Sequence, residues 1–302
     1  MIFTSVLQSI EINPTELCNL TCSFCPRAHG YPNQNLHMTP QTAEIIRSHV
    51  DEIDFKEPQR IVITGRGEPT LAKYFEEIVN IFSDKKTYSL HMTTNGKWLF
   101  EKYEHLIHKF DHIYYDVYDT KYDVSGPQEK KLNAIKLRKK IERKYKNIKI
   151  MFKPDYGGSH YKLTEWGFRM SNRAGSIKHT AHLENEKWKK GGVFAEFWNS
   201  VKVQVDETCN IPFRRLFIDW NGDYNLCCHD WKHKLVFGNV REQNILDYLH
   251  ENESLNHYRK TLLHQYNRKN LTACSECDKV CPINSDEMSM FKTLVELNDA
   301  GR

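Results

Sequence analysis

Three cysteines near the start of the chain, Cys18, Cys22 and Cys25, have the spacing CxxxCxxC. Iron-sulfur clusters are normally held by four cysteine thiolates, so three thiolates on a four-iron cluster leave one iron without a protein ligand. An iron with an open site can bind a small molecule and take part in its reaction. The alternative is a structural zinc site with His29 as fourth ligand, because zinc accepts three cysteines and one histidine. Both hypotheses place a metal in this loop.

A glycine-rich turn downstream supplies a second group of candidate residues. Residues 61–64 are all β-branched and precede the run Gly-Arg-Gly-Glu-Pro at 65–69, which predicts a buried strand that ends at a tight turn. Glycine lets backbone carbonyls approach a ligand closely, and carbonyls and carboxylates accept hydrogen bonds from an ammonium group. Gly67 and Glu68 are therefore candidates to contact a ligand. The alternative for Glu68 is a solvated loop carboxylate.

The elements that must position these residues alternate between short apolar strands and amphipathic helical segments. Strand, helix and strand in series predict a parallel sheet with right-handed crossovers. In α/β barrels built from such parallel strands, the active-site residues lie beyond the C-terminal ends of the strands. Six strands are predicted, at Gln8–Asn13, Arg60–Thr64, Tyr88–Thr93, His112–Val117, Ile148–Lys153 and Val201–Val205. Helices are predicted at Pro40–Ile53, Tyr74–Ser83, Leu99–Lys109, Lys130–Lys146 and Ile245–His250.

The cysteine spacing and the glycine-rich turn resemble those of the radical S-adenosylmethionine (SAM) enzymes. The resemblance implies an α/β fold with a partial (β/α)6 TIM-type barrel and a 4Fe-4S cluster whose open iron binds the amino and carboxylate groups of SAM. One electron then cleaves SAM to a 5'-deoxyadenosyl radical, which removes hydrogen from the substrate. The resemblance also implies that Gly67 and Glu68 contact the SAM amino group, with Arg66 at a position that is often glycine in the family.

Two further strand ends resemble SAM-binding positions of the family. Asn95 lies in the run Thr-Thr-Asn-Gly at 93–96, although Asn-Gly is also a common turn dipeptide. Asp116 aligns with a position that is usually serine, and an anion there suits ribose hydroxyls and would repel a carboxylate. The general base is left open because proton transfer is assigned from geometry first. The eligible residues are His29, His37, Asp155, Tyr156 and Glu165.

Six of the nine cysteines follow residue 205, around a predicted hairpin that turns at Asn221-Gly222. Their order resembles that of the SPASM/twitch auxiliary-cluster domains, which implies one auxiliary 4Fe-4S cluster. Zinc is the other metal that such a pattern accepts. The predicted ligands are Cys209, Cys227, Cys274 and Cys277. Cys228 and Cys281 remain either buried thiols or alternative ligands.

Composition indicates an ordinary-sized enzyme with two domains, which we predict at residues 1–205 and 206–302. The net charge of +4 is too small to indicate nucleic-acid binding. The start of the chain lacks the basic region of a signal peptide, and no apolar run reaches the roughly 18 residues of a membrane span. Nine cysteines in a reducing compartment point to metal binding. We therefore expect a cytoplasmic protein.

An auxiliary cluster with four thiolate ligands cannot bind substrate directly and suits electron transfer. The resemblance to twitch-type enzymes implies oxidation of a small polyhydroxylated compound, with the auxiliary cluster as electron acceptor. One alternative is radical modification of a ribosomal peptide, although the short segment before the first strand predicts no built-in leader-recognition domain. Another is a non-catalytic iron-sulfur or zinc protein that binds a partner. Expected partners are a small-molecule or peptide substrate and an external one-electron donor such as flavodoxin or ferredoxin.

Overall fold

The computed structural model of the chain describes residues 3–20, 25–55, 59–84, 87–117, 139–152, 174, 176, 208–264, 267–277 and 283–300. Eight strands lie in these ranges: β1 (Ser9–Ile12), β2 (Gln59–Ile63), β3 (Tyr88–Thr94), β4 (His112–Val117), β5 (Ile148–Phe152), β6 (Arg215–Ile218), β7 (Asp223–Asn225) and β8 (Val236–Asn239). They form one sheet in the order β5-β4-β3-β2-β1-β6-β7-β8.

The sheet is parallel from β5 to β6 and antiparallel from β6 to β8. The first five predicted strands are confirmed, and the fold is the expected α/β partial barrel. Strands of the parallel part bury alternate side chains in one core with the helices, as Ile10, Ile61 and Leu90 do at 0% exposure. Because these strands run in one direction, the loops that follow β1, β2 and β3 meet at one edge of the sheet.

The strand next to β1 on its other side is β6, with Ile10 opposite Leu216 and Ile12 opposite Ile218. The sixth strand predicted from the sequence, Val201–Val205, lies outside the described residues. The predicted hairpin is confirmed, since β6 and β7 pair antiparallel and the Gly222 amide donates to the Asp219 carbonyl at 2.8 Å. The sheet thus continues from the N-terminal half into the C-terminal half, and the predicted boundary at 205/206 stays a prediction.

Helices pack with the sheet around one hydrophobic core. They are α1 (Pro40–Asp51), α2 (Phe75–Ser83), α3 (Lys97–Glu101), α4 (Ile211–Arg214), α5 (Ile245–Glu251), α6 (Glu253–Leu262) and α7 (Ser285–Ala300). Helix α1 begins where Thr39 accepts a hydrogen bond from the Thr42 amide, with proline at the first helical position. It buries Ala43, Ile46 and Val50, an apolar stripe at helical spacing. Such packing holds the helices that connect the site-bearing strands.

The prediction of one continuous helix at Leu99–Lys109 is wrong. The chain forms α3 and then a separate 3-10 turn at Glu104–Lys109, with a break at Lys102 and Tyr103. Tyr103 is buried and its ring meets the Phe75 ring edge-on at 4.8 Å, so the break lies where a side chain packs into the core. Residues 139–144 are helical, at the end of the predicted segment Lys130–Lys146. Among the described helices, none is both long and apolar enough to cross a membrane.

Arg259 joins the helices of the C-terminal half. It is fully buried, and its guanidinium donates to the carbonyls of Pro212 at 3.1 Å and Leu249 at 2.5 Å. It also stacks 3.9 Å from the centre of the Phe3 ring. Helix α6 then receives a hydrogen bond at its end, from the Cys209 amide to the Leu262 carbonyl at 3.3 Å. The first cysteine of the C-terminal half is therefore fixed by helix packing.

Candidate active site

A cavity opens at the edge of the sheet where β1, β2 and β3 end. Two of the three predicted cluster cysteines line it, Cys18 and Cys25, and the third, Cys22, lies outside the described residues. The turn at 64–68 and the strand end at 93–95 line the same cavity. The structure therefore brings together Gly67, Glu68 and Asn95 with the described thiols of the first motif.

Glu68 ties two of these loops together. Its side chain is 3% exposed, and its Oε1 accepts hydrogen bonds from the Thr70 hydroxyl at 2.7 Å, the Thr70 amide at 3.2 Å and the Thr94 hydroxyl at 2.6 Å. Its Oε2 accepts from the Asn95 amide at 2.7 Å. Burial raises the pKa of Glu68, while these hydrogen bonds oppose the rise. The carboxylate thus joins the turn after β2 to the end of β3 at the cavity wall.

Gly67 has no room for a side chain. A Cβ atom at this position would lie 2.2 Å from the Thr15 carbonyl oxygen and 2.7 Å from that of Leu17. The following amide, that of Glu68, donates to the same Leu17 oxygen at 2.8 Å. Glycine is therefore required because the turn lies directly against the backbone that leads into the cysteine loop.

Asn95 connects the third strand to the cysteine loop, since its Nδ2 donates to Asn19 Oδ1 at 2.8 Å. The next residue, Gly96, has a φ of +79°, and a Cβ there would lie 2.0 Å from the Tyr115 ring. The Asn-Gly pair therefore forms a tight turn, and its Asn95 also borders the cavity. Asp116 belongs to β4, but its side chain lies outside the described part of the structure.

Arg27, two residues after Cys25, clamps the cysteine loop to the glycine-rich turn. Its Nη2 and Nε donate to the Arg66 carbonyl at 3.1 and 3.3 Å, and Nη2 also donates to the Glu16 carbonyl at 2.5 Å. Its Nη1 donates to the Pro32 carbonyl at 2.7 Å. Sequence reasoning missed Arg27, because nothing in a single arginine after a cysteine distinguishes a buried clamp from a solvated charge.

Arg66, at the position that is often glycine in the resembled family, reaches across the sheet into the C-terminal half. Its guanidinium forms an ion pair with Asp219 and donates to the Asp230 carbonyl at 3.1 Å. Asp219 also accepts from Asn13 at 3.0 Å and from Asn225 at 2.6 Å. Although burial opposes its charge, Arg66, His233 and Asn13 hold the pKa of Asp219 well below its usual range. A buried polar network therefore links the cavity turn to the hairpin.

Trp231 is the cavity residue that comes from the C-terminal half. Its ring meets the Tyr31 ring edge-on at 4.9 Å. Tyr31 in turn donates to Glu16 Oε2 at 2.9 Å, beside the cysteine loop. No local sequence pattern marks Trp231, because its part in the cavity depends on pairing between elements about 200 residues apart in the chain.

His37 is the one described candidate among the eligible general bases. Its Nδ1 is 2.9 Å from the Thr15 hydroxyl and its Nε2 is 2.6 Å from Asn35 Oδ1. It is absent from the cavity lining. The side chain of His29 and the whole of Asp155, Tyr156 and Glu165 lie outside the described residues.

The four predicted auxiliary ligands form a second thiol group. Cys209 and Cys277 interact electrostatically with both Cys227 and Cys274. Burial, followed by the neighbouring Cys209, raises the pKa of Cys274 to about 12, so metal binding must supply the energy to remove its proton. Four neighbouring thiols suit an iron-sulfur cluster, whose ligands are cysteine thiolates.

The two cysteines left over from the predicted set differ in what the structure describes of them. Cys228 hydrogen-bonds the Cys227 thiol, and Cys281 lies outside the described residues. Within the described ranges, no three His, Cys, Asp or Glu side chains are close enough to hold a single metal ion. A cluster differs from a single zinc ion in this respect, because its thiolates bind separate iron atoms.

Comparison with known families decides the identity of both halves. Residues 12–153 match the radical SAM superfamily, and residues 209–278 match SPASM, described as an iron-sulfur cluster-binding domain. The chain is a radical SAM enzyme of the SPASM/twitch group. Its radical SAM domain binds a 4Fe-4S cluster and SAM, and its SPASM domain binds an auxiliary iron-sulfur cluster. The residue-level ligand sets remain predictions.

Two curated relatives differ in how much of the chain they match. A probable GTP 3',8-cyclase of Methanocaldococcus jannaschii is 34% identical over 94 residues, and the match spans only 30% of that protein. The S-adenosyl-L-methionine-dependent 2-deoxy-scyllo-inosamine dehydrogenase of Niallia circulans is 22% identical over 276 residues, which cover 90% of this chain and 92% of the relative. The second match therefore extends over both halves of this radical SAM enzyme.

Solved structures share the fold at low identity. BtrN in complex with AdoMet and 2-DOIA has a TM-score of 0.63 at 19% identity, covering 93% of this chain and 96% of BtrN. Streptococcus suis SuiB bound to precursor peptide SuiA has a TM-score of 0.54 at 16% identity, covering 83% of this chain and 66% of SuiB. These likenesses support the radical SAM and SPASM architecture.

Proposed function

We propose that this radical SAM enzyme oxidises a carbinol carbon of a small polyhydroxylated compound to a carbonyl. The observation that carries the proposal is the position of Trp231, which follows Cys228 by three residues and lines the same cavity as Cys18 and Cys25. A domain with a redox-active cluster at the border of the SAM cavity suits a reaction in which the substrate loses a hydrogen atom and then one more electron. The alignment with a 2-deoxy-scyllo-inosamine dehydrogenase over most of both chains supports the same class of substrate.

Oxidation of a carbinol removes one hydrogen atom, one electron and one proton. When bound, the SAM-binding cluster and SAM supply the 5'-deoxyadenosyl radical that takes the hydrogen atom, which gives 5'-deoxyadenosine. The auxiliary cluster that Cys209, Cys227, Cys274 and Cys277 would hold would supply an acceptor for the electron, and the proton would pass to a base or to water. The chain's own contribution is to hold SAM, orient the substrate and set the distance between the two metal sites.

Residue roles follow from the cavity. We propose Cys18, Cys22 and Cys25 as ligands of the SAM-binding cluster, and Cys209, Cys227, Cys274 and Cys277 as ligands of one auxiliary 4Fe-4S cluster. Gly67 and Glu68 would hold the SAM amino group, through the backbone carbonyls of the turn and the carboxylate. Asn95 closes the cavity beside it, and Asp116 takes the ribose hydroxyls.

The proposal includes a cytoplasmic setting and an external one-electron donor such as flavodoxin or ferredoxin. A reduced donor of this kind supplies the electron that SAM cleavage consumes. A donor assay tests this part: reduced flavodoxin or ferredoxin should replace a chemical reductant in forming 5'-deoxyadenosine. Activity with the chemical reductant and none with either protein would contradict it.

The experiment that tests the reaction uses protein reconstituted anaerobically with iron and sulfide, then SAM, reductant and candidate substrates deuterated at the carbinol carbon. 2-Deoxy-scyllo-inosamine and related aminocyclitols and polyols form the panel. Mass spectrometry should find deuterium in 5'-deoxyadenosine and a carbonyl product two mass units below the unlabelled substrate. The Cys18/Cys22/Cys25 triple alanine variant is the control and should form neither. Substrate-dependent 5'-deoxyadenosine without a carbonyl product would refute net oxidation.

The second candidate function is radical modification of a peptide, and the fold that the chain shares with SuiB, solved with its precursor peptide, favours keeping it. Label transfer from a peptide and from none of the polyols would move the assignment to this function. A protein that holds its full iron content and fails to bind SAM in a titration would instead indicate a non-catalytic iron-sulfur protein.

A further inference from the structure

Arg268 lies among the thiols of the auxiliary site. It begins a 3-10 turn at Arg268–Asn270, and it is 2% exposed. Its Nε donates to the Cys274 carbonyl at 3.2 Å. Its guanidinium also hydrogen-bonds the Cys277 side chain. The charge is therefore buried at the site where the SPASM domain holds its cluster.

The partners that favour the charged guanidinium are cysteines. The side chains of Cys277, Cys209 and Cys274 interact electrostatically with the buried guanidinium. Buried charges are usually compensated by an opposite charge. Cysteine thiols carry that negative charge once they bind a metal, because binding removes their protons. The positive charge of Arg268 therefore suits a loaded auxiliary site.

The reduction potential of an iron-sulfur cluster depends on its net charge and on hydrogen bonds to its sulfurs. Reduction adds one negative charge, which a nearby guanidinium stabilises. We propose that Arg268 raises the reduction potential of the auxiliary cluster and so fits it to accept the electron that substrate oxidation releases. This inference rests on the proposed function for its purpose, but its physical content is a property of the auxiliary site alone.

Asp230 acts on the same site with the opposite sign. It is 1% exposed and interacts electrostatically with Cys274. Its Oδ2 accepts a hydrogen bond from the Leu235 amide at 2.7 Å, which fixes the carboxylate in place. Its Oδ1 has no hydrogen-bond partner in the described structure. A carboxylate in this position lowers the potential that Arg268 raises, so the two residues offer opposite tests.

A purely structural role for Arg268 is the competing explanation, since its contact with the Cys274 carbonyl also holds the loop. Both explanations predict lower stability when the residue is replaced. They differ in the reduction potential that they predict for the remaining cluster. A role limited to the carbonyl contact predicts an unchanged potential, because it gives the charge of Arg268 no effect on the cluster sulfurs. The potential is therefore the deciding measurement.

The experiment uses the full chain with Cys18, Cys22 and Cys25 replaced by alanine, so that only the auxiliary cluster is loaded. Redox titration followed by electron paramagnetic resonance compares this protein with its Arg268→Gln, Arg268→Lys and Asp230→Asn forms. Lys269→Gln is the matched control, because it removes an exposed charge from the neighbouring residue. Iron content is measured for each form.

We expect a more negative midpoint for Arg268→Gln, a smaller negative shift for Arg268→Lys, and a positive shift for Asp230→Asn. The lysine variant keeps the charge and loses the fork that reaches several acceptors. Lys269→Gln should match the parent. An unchanged midpoint in Arg268→Gln, with the cluster intact, overturns the inference. If the glutamine variant fails to hold its cluster, Arg268→Met, which also removes the charge, takes its place, and an unchanged midpoint there overturns the inference.

The two proposals fail separately. The titration contains no substrate and no SAM-binding cluster, so its result is independent of the reaction. If the deuterium assay fails while the midpoints shift as expected, the proposed oxidation is wrong and the tuning by Arg268 stands. If the deuterium assay succeeds and the midpoints stay constant, the oxidation stands without Arg268.

Discussion

Replacing Asp219 by asparagine should separate the cavity turn from the C-terminal hairpin. Asp219 and Arg66 are 3% and 7% exposed, and they form a buried ion pair across the sheet. Asparagine keeps the shape and removes the charge, which leaves Arg66 with the more distant Glu16, 3.7 Å away, as its counter-ion. Breaking one side of a buried pair costs about 3–5 kcal/mol. Since unfolding entropy is about 2.1 cal/mol/K per residue, 302 residues convert this to a fall in Tm of roughly 5–8 °C.

The assay is thermal unfolding under anaerobic conditions of the wild type, Asp219→Asn, Arg66→Met and the double variant. The double variant removes both charges, so it should be more stable than the sum of the single effects predicts, by about 1 kcal/mol or more. Asp51→Asn is the control, since the Asp51 side chain, which pairs with Arg47, is 51% exposed. This substitution should change the free energy of unfolding by about 0.5 kcal/mol or less. Additive effects of the two buried variants would refute the reasoning, as would a Tm for Asp219→Asn equal to that of the control.

Three further variants test the site. Gly67→Ala should abolish measurable SAM binding in a titration, because its Cβ would lie 2.2 Å from a backbone oxygen, whereas Gly30→Ala, with open space around it, should cost only backbone strain. Trp231→Ala should weaken SAM binding by about 1 kcal/mol, roughly fivefold, and Trp231→Phe should retain most of the affinity, since an aromatic ring remains. An affinity of Trp231→Ala equal to that of the wild type would show that Trp231 does not contact SAM. Burial raises the pKa of Glu11 to about 8, so the folded state favours its protonated form and stability should fall as pH rises from about 4.5 to 8. Urea unfolding of Glu11→Gln should show a weaker fall across that range than the wild type, and parallel curves would contradict the assignment.

Much of the candidate site was predictable because its signals are local. The spacing of Cys18 and Cys25 and the glycines of the turn express backbone and coordination requirements within a few residues. Gly67 shows both the reach and the limit of such signals, since the residue type predicted close approach to a ligand and the structure places the turn against the chain's own Thr15 and Leu17 carbonyls. The strands were predictable for the same reason, because β-branched runs such as residues 61–64 favour the extended chain on their own.

The partners of Arg66 and the position of β6 were beyond local reasoning. The sequence shows an arginine at 66 and an aspartate at 219, but their ion pair exists only because β6 lies beside β1 in the sheet. Trp231 reaches the cavity for the same reason. Pairings over such separations are decided by how the whole sheet buries its apolar faces, and many alternative pairings satisfy the same local pattern.

The sequence by itself therefore determined the class of chemistry in this protein. Three thiols at CxxxCxxC, a glycine turn with Glu68 and a later cysteine set carry their meaning in residue type and spacing, since coordination and close backbone approach are local demands. The tertiary structure decided how the two halves work together: which charges meet in the buried network, which wall Trp231 forms, and which thiols surround Arg268. These contacts join segments that are distant in the chain and bury their charges. The free energy of a buried charge depends on its surroundings, which exist only once the chain has packed.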